Sequence, residues 1–237
     1  MKKLITASFI FLFCISFYSY SLQACGNCSL PLCNGGFEED NTYNGWPSQT
    51  CIWSYDDTEV VAAENGITPF EGNKMVRFIS TLQSGGGADY SSLFQVLEVT
   101  GSEFEDDIAS GTFFFSVEYS CNRVAGDTDT DREFILEVFG YDTSTFPQDW
   151  HSNYVFREST SIITDGNPET WETINLTTSN LPESTTYISI HIAAHEDVNN
   201  GDSPEFDGHY ADNVKAFFGS VDTEDSSWGA VKSIYRN

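Results

Sequence analysis

His191 and His195, followed by Glu196 and Asp197, come nearest in this chain to a transition-metal motif. On a strand both histidines would share a face but stand over ~12 Å apart, too far for one ion. Asp127, Asp129 and Asp131 repeat a carboxylate at every second residue, without the glycine and distal glutamate of an EF-hand loop. That run reads as a solvated acidic loop, and 197–207 reads the same way. There is no Gly-x-Ser-x-Gly, no His-Glu-x-x-His and no phosphate loop. A glycan-active hydrolase or lyase would need two facing carboxylates, one with a raised pKa. With 36 acids in the chain, the presence of carboxylates selects no such pair. The residues point away from an enzyme.

The elements that must position any site are short and β-rich. Runs of Phe, Tyr, Thr, Val and Ile are broken by Gly, Asn, Asp and Pro, which predicts strands joined by polar turns. Strands are expected at Cys51–Tyr55, Lys74–Ser80, Leu93–Thr100, Thr112–Asn122, Phe134–Tyr141, Tyr154–Ile163, Trp171–Leu176, Tyr187–Ala194 and Ala211–Phe218. Eight or nine antiparallel strands in this order predict an all-β jelly-roll sandwich. Arg77, Gln95, Glu118, Glu137 and His191 each interrupt an apolar alternation. If their strands form one sheet, these five lie on a common outer surface. An ordinary solvated face is the competing reading.

The N-terminus reads as an export signal over residues 1–24: Lys2 and Lys3, an apolar run from Leu4 to Phe17, then a small-residue exit. It is too short for a membrane span, and no later stretch is long and apolar enough. Leu22-Gln23-Ala24-Cys25 resembles a bacterial lipobox, with Gln23 departing from the usual pattern, so Cys25 is a candidate for lipidation and a lipid anchor. Residues 25–33 form a cysteine-rich stub, 34–218 the sandwich, and 219–237 an acidic linker and tail. Setting Cys25 aside leaves Cys28, Cys33, Cys51 and Cys121, enough for two disulfides in an oxidising compartment. Proximity and strand-end position favour Cys28–Cys33 and Cys51–Cys121. Removing Lys2 and Lys3 takes the formal charge from −26 to −28. That excludes nucleic acid and anionic lipid as partners, and fits calcium, a saline setting or simple solubility. In the tail, Trp228, Val231, Ile234 and Tyr235 fall at one-sided helical spacing, with Lys232 and Arg236 late. So short a helix must dock on the domain, dock on a partner, or stay disordered.

Five stretches, in this order, resemble the galactose-binding-like jelly-roll carbohydrate-binding modules. They are Asn34-Gly35-Gly36-Phe37-Glu38 with Gly45-Trp46; Glu71 to Phe78; Phe94 to Val99; Trp171 before Ile174-Asn175-Leu176; and Tyr210-Ala211-Asp212-Asn213-Val214. The resemblance implies a structural calcium ion held by the Glu38 and Asp212 carboxylates with the backbone carbonyls of Gly36, Gly72 and Lys74. Calcium takes six to eight oxygens, and irregular turns can supply them. The first and last stretches should then meet in space. The resemblance also implies sugar binding. Trp53, Tyr55, Trp150 and Tyr154 are candidates for a stacking platform, and Arg77, Gln95, Glu118, Glu137 and His191 for polar partners. Trp46 and Trp171 sit where such modules use Trp for packing. The expectation is a secreted or cell-surface, calcium-stabilised, non-catalytic domain that binds an extracellular glycan. The alternative is a structural or adhesive surface protein acting through protein–protein contact or self-association.

Overall fold

The structure, a computed structural model, describes residues 32–39, 42–80, 90–102, 104–111, 113–124, 133–150, 153–195 and 208–220. The expected signal peptide, Cys25, Cys28, the two acidic loops and the amphipathic tail lie outside the described residues.

The strands are β1 (Thr42–Asn44), β2 (Trp53–Tyr55), β3 (Asp57–Val61), β4 (Met75–Ser80), β5 (Tyr90–Glu98), β6 (Phe113–Arg123), β7 (Glu133–Tyr141), β8 (Tyr154–Ile163), β9 (Glu172–Thr177), β10 (Tyr187–His195) and β11 (His209–Ser220), with one short helix, α1 (Glu105–Ala109). All nine expected strands form, within a few residues at their ends. β1 and β3 are additional, and β1 pairs with β2 in parallel, unlike the antiparallel remainder.

Two sheets result. The first runs β1-β2-β5-β10-β7-β8 and the second β3-β4-β11-β6-β9. Their facing sides carry the apolar set of each alternation: Phe78, Phe113 and Phe115 from the second sheet meet Phe134, Leu136 and Ile190 from the first, all fully buried. Each such side chain contributes on the order of 1.5–3 kcal/mol of burial energy. Phe104 and Ile108 of the α1 segment join the same core. The fold is the all-β sandwich that alternation predicts.

The disulfide expectation needs correction. Cys33 pairs with Cys51, and Cys121 is a free, buried thiol. Cys121 sits near the end of β6 with its side chain in the core, where its thiol donates to the Glu172 carbonyl. Cys51 lies in an exposed turn before β2, which belongs to the other sheet. Position near a strand end could not reveal that Cys121 faces inward.

Candidate functional site

The chain's first and last motifs do meet. Gly35 carbonyl accepts from Val214 N–H at 2.8 Å, and a Cβ on Gly35 would collide with the Val214 carbonyl. A register shift in β11 between Asp212 and Lys215, with Asn213 at φ 54°, turns Asp212 toward the 70–74 turn. Asp212 Oδ2 accepts from Glu71 N–H at 3.1 Å and Oδ1 from Asn213 N–H at 2.6 Å. Glu38 Oε1 accepts from the Asn73 and Lys74 amides at 2.8 and 3.2 Å, packed so closely over Gly72, at φ +69°, that no side chain fits there. Those amides hold Glu38 below the usual carboxylate range. Burial pushes Asp212 up to about 6, with the Glu38 charge adding to it. Among the described residues no three acidic, histidine or cysteine side chains converge. Any cation here would therefore draw on these two carboxylates and on turn carbonyls.

The second feature is a cleft of about 870 Å³ on the outer face of the six-stranded sheet. Cross-strand register explains it row by row. Val96, Ser189, Phe139 and Arg157 align across β5, β10, β7 and β8; the next row is Phe94, His191, Glu137 and Ser159; the next is Ser92, Ala193, Ile135 and Ser161. Beyond the first of these rows, toward Tyr187 and Tyr141, the face is packed with aromatic rings. The segment after β7 lies over them, with Phe146 against Tyr187 and Trp150 against Phe94 and Phe139. Toward Tyr90 and His195 the face is open, and that half is the cleft. Tyr55, Phe94 and Trp150 bound its aromatic end, and Trp150 Nε1–H donates to Tyr55 Oη at 3.1 Å.

Within the cleft, His191 stacks on Phe94 with ring centroids 4.2 Å apart and planes 3° from parallel. Its Nδ1 lies 2.7 Å from Glu137 Oε2, and Arg157 donates to Glu137 Oε1 from Nη2 at 2.6 Å and Nε at 3.2 Å. Burial alone would raise Glu137, but His191 and Arg157 outweigh it and hold the carboxyl down at about 2. The Arg157 guanidinium also stands 5.4 Å over the Phe139 ring. A second pair repeats the pattern four residues further along the strands: His195 Nδ1 lies 2.8 Å from Glu133 Oε2, with Tyr90 stacked on His195 at 4.2 Å. Hydrogen bonds from Ser161 and His195 lower Glu133. Asp56 accepts from Ser92 N–H at 2.8 Å where the chain leaves the first sheet for the second. Both histidines therefore bind carboxylates across the sheet, not a shared metal ion. Neither Glu133 nor Glu137 has the raised pKa of a general acid.

The structure places the expected residues as follows. Tyr55, Trp150, Glu137 and His191 line the cleft. Tyr154 is exposed on the same face, edge-on to Phe139 at 5.6 Å. Four placements are corrected. Trp53 is a core residue, 1 % exposed, packed on Phe37 and donating to the Cys33 carbonyl, so it offers no platform. Gln95 aligns with Ile190 and points inward, where its amide both donates to and accepts from the Cys33 backbone at 2.8 Å. Arg77 and Glu118 stand on the other sheet, Arg77 paired with Glu59 and Glu64. Trp46 packs on the aromatic cluster with its indole N–H on the Pro147 carbonyl, and Trp171 packs beside Met75 and Tyr210, as expected for structural tryptophans. The sequence reading missed Asp56, Tyr90, Glu133, Arg157, Ser159 and Ser161. Arg157, Ser159 and Ser161 recur at period two in β8, which is the one signal that could have found them.

Neither a protein-family model nor a curated protein matches the sequence. Solved structures show fold-level likeness. TmCBM61 in complex with β-1,4-galactotriose is 18 % identical, with 79 % of this chain and 97 % of that chain covered and a TM-score of 0.42. The CBM22-1 xylan-binding domain of Paenibacillus barcinonensis Xyn10C is 11 % identical, with 79 % and 93 % covered and a TM-score of 0.42. The enzymatically active domain of bacteriophage CBA120 tailspike protein 4 is 10 % identical, with 81 % and 21 % covered and a TM-score of 0.42.

Proposed function

We propose that this chain is an exported, non-catalytic carbohydrate-binding domain, and that the cleft on its six-stranded sheet takes an uncharged glycan. The observation that carries the reading is the pairing, in one open half-face, of an aromatic end with fixed polar groups. Tyr55 and Trp150 offer rings to the apolar face of a sugar, with Phe94 buried as their packing support, while Arg157, Ser159 and Ser161 stand ready for its hydroxyls, Arg157 braced by Glu137. From β2 to β8 is four strand intervals, or ~19 Å, which suits an oligosaccharide lying across the strands better than a single sugar ring. Asp56, Glu133 and Glu137 set three carboxylates against one arginine, whose charge Glu137 already neutralises. Acidic glycans are thereby disfavoured.

The reading extends to a structural calcium ion at Glu38 and Asp212. Burial raises the Asp212 carboxyl and the nearby Glu38 charge adds to it, so a hard, oxygen-seeking cation between the two would be a favourable counterion. The ion would tie the first turn of the domain to its last strand. Export is proposed on the N-terminal signal pattern, with Cys25 as the candidate for a lipid anchor.

The test is intrinsic tryptophan fluorescence and calorimetry of the chain against neutral and acidic oligosaccharides, with Trp150→Ala as the control variant. Binding of a neutral oligosaccharide that Trp150→Ala weakens at least tenfold supports the reading. Equal binding by both proteins, or no binding by either, overturns it.

A further inference from the structure

The open half of the cleft carries an aromatic ring of its own. Tyr90 lines it, is 39 % exposed, and stacks on His195 with ring centroids 4.2 Å apart and planes 10° from parallel. His195 is held in turn by Glu133, 2.8 Å from its Nδ1. The construction repeats that of Phe94 on His191 and Glu137, four residues along β5, with the opposite outcome. Phe94 is 1 % exposed, with Trp46, Tyr55 and Trp150 packed round it. Strand pairing shows where Tyr90 is open. β2 lies against β5 only at Phe94 and Leu93, and the chain then leaves through Asp56 for the second sheet. Among the described residues no strand flanks β5 at Tyr90 on the side away from β10. His195 covers one face of the ring, so the exposure of Tyr90 falls on the opposite face and the rim. Tyr55 and Asp56, on that same side of β5, line the cleft with it.

We propose that Tyr90 is a second ring platform of the cleft: it takes a different unit of the same ligand from the one stacked on Trp150, so the site selects oligosaccharides over single sugars. The proposal rests on the carbohydrate-binding reading above. Tyr90 and Phe94, round which the Trp150 end is built, are four residues apart, or ~14 Å along the strand. One sugar ring does not bridge that distance, whereas a chain of sugars does. Ser92, Ile135 and Ser161 line the cleft in the row between them, and none of the three brings a ring. A tyrosine backed by a stacked imidazole is fixed before the ligand arrives, so little side-chain freedom is left to lose on binding. Its open face is a flat, uncharged surface suited to the C–H face of a sugar. Tyr90 shares the outward parity of Phe94 in the sequence, but only the departure of β2 leaves it uncovered.

Calorimetry of the full chain against neutral sugars of one series, from monosaccharide to hexasaccharide, tests this. Wild-type affinity should rise at least tenfold along the series. Tyr90→Ala should weaken binding of the longest member about tenfold and flatten the rise, the effect of one lost stacking contact. Tyr90→Phe, which keeps the ring, should recover most of that loss. A merely damaged fold would weaken every length alike, and that outcome overturns the proposal. The second measurement is NMR saturation transfer to the bound hexasaccharide from the Tyr90 ring protons of the wild-type chain, assigned with Tyr90→Phe. Transfer is the supporting result; its absence, with transfer from Trp150 present, is the refuting one, and it decides the matter should Tyr90→Ala fail to fold. If Tyr90→Ala binds every length like the wild type while Trp150→Ala is weakened, the Tyr90 proposal falls and the carbohydrate reading stands. If the wild type binds no neutral oligosaccharide, both fall.

Discussion

Glu137 ought to make this domain acid-sensitive in a way that one substitution removes. Its carboxyl is depressed from 4.5 to about 2, because His191 and Arg157 outweigh the burial that would raise it. A carboxyl held lower in the folded than in the unfolded chain stabilises the fold above its unfolded value, near 4.5, and loses that contribution as pH falls through its folded value, near 2. The whole shift corresponds to ~3 kcal/mol at ~1.4 kcal/mol per pKa unit. Little of it should be lost to solvent screening, since the Glu137 side chain is only 7 % exposed. Glu137→Gln keeps the shape and removes the charge. The variant should therefore be ~3 kcal/mol less stable than the wild type at pH 7, or roughly 6–12 °C in Tm for a domain of this size. The gap should close steadily between about pH 5 and pH 2, where the wild-type carboxyl becomes neutral and resembles the amide. Urea unfolding of both proteins at half-unit pH steps measures the gap directly. Comparing the two proteins cancels the other acids, which titrate in both. A gap that stays the same size from pH 7 to pH 2.5 would refute the reasoning, because it would mean that Glu137 contributes by packing and not by charge.

Three further outcomes are expected. Calcium should raise Tm and a chelator lower it, with ~2.7 kcal/mol of stabilisation at a hundredfold excess over Kd; Glu38→Ala or Asp212→Ala should abolish the response, and a calcium-insensitive melt would remove the ion from the scheme. Cys121 should resist thiol reagents in the folded chain and react on unfolding, since its thiol is fully buried and burial pushes its pKa well up; rapid labelling of native protein would contradict its placement. Gly35→Ala should cost ~2–4 kcal/mol, because the added methyl forces the first motif away from the Val214 carbonyl and breaks the Gly35–Val214 hydrogen bond; a near-neutral effect in denaturant unfolding would show that the two ends of the domain are not in contact.

Most of the strands could be read from the chain because period-two alternation is a local property: Phe113, Phe115, Val117 and Tyr119 mark one face of β6 without reference to any other strand. What alternation does not carry is which sheet a strand joins. Arg77 and Glu118 obey the same rule as Glu137 and His191 and stand on the opposite side of the sandwich. Gln95 misleads for a different reason. β5 is apolar on both faces because aromatic rings cover part of its outer side, so a polar residue there looks outward-facing while it serves the backbone of Cys33 inside. Trp53 and Tyr55, two residues apart, would share a face on a regular strand. They go to opposite faces because β2 ends at Tyr55 and the chain crosses to the second sheet through Asp56. The meeting of the Asn34 and Asp212 motifs was legible only through resemblance, since nothing local links residues so far apart in sequence.

The strong acidity of the chain and the character of its cleft are parts of one physical account. With 36 acids against 10 lysines and arginines, a surface groove of this protein repels anions at long range. An arginine in such a groove could still have recruited an acidic ligand, but Arg157 is bound through two nitrogens to Glu137 and packed over Phe139. Its charge is used inside the protein to keep Glu137 ionised, and Glu137 is used to orient His191. The consequence is a wall of fixed hydrogen-bonding groups with no spare positive charge, next to aromatic rings. Such a surface gains little from a charged ligand and most from one that is uncharged, ring-shaped and rich in hydroxyls. Substituting Arg157 should therefore harm binding by loosening Glu137 and His191, and it should do so equally at low and high salt, since no ion pair with the ligand is lost.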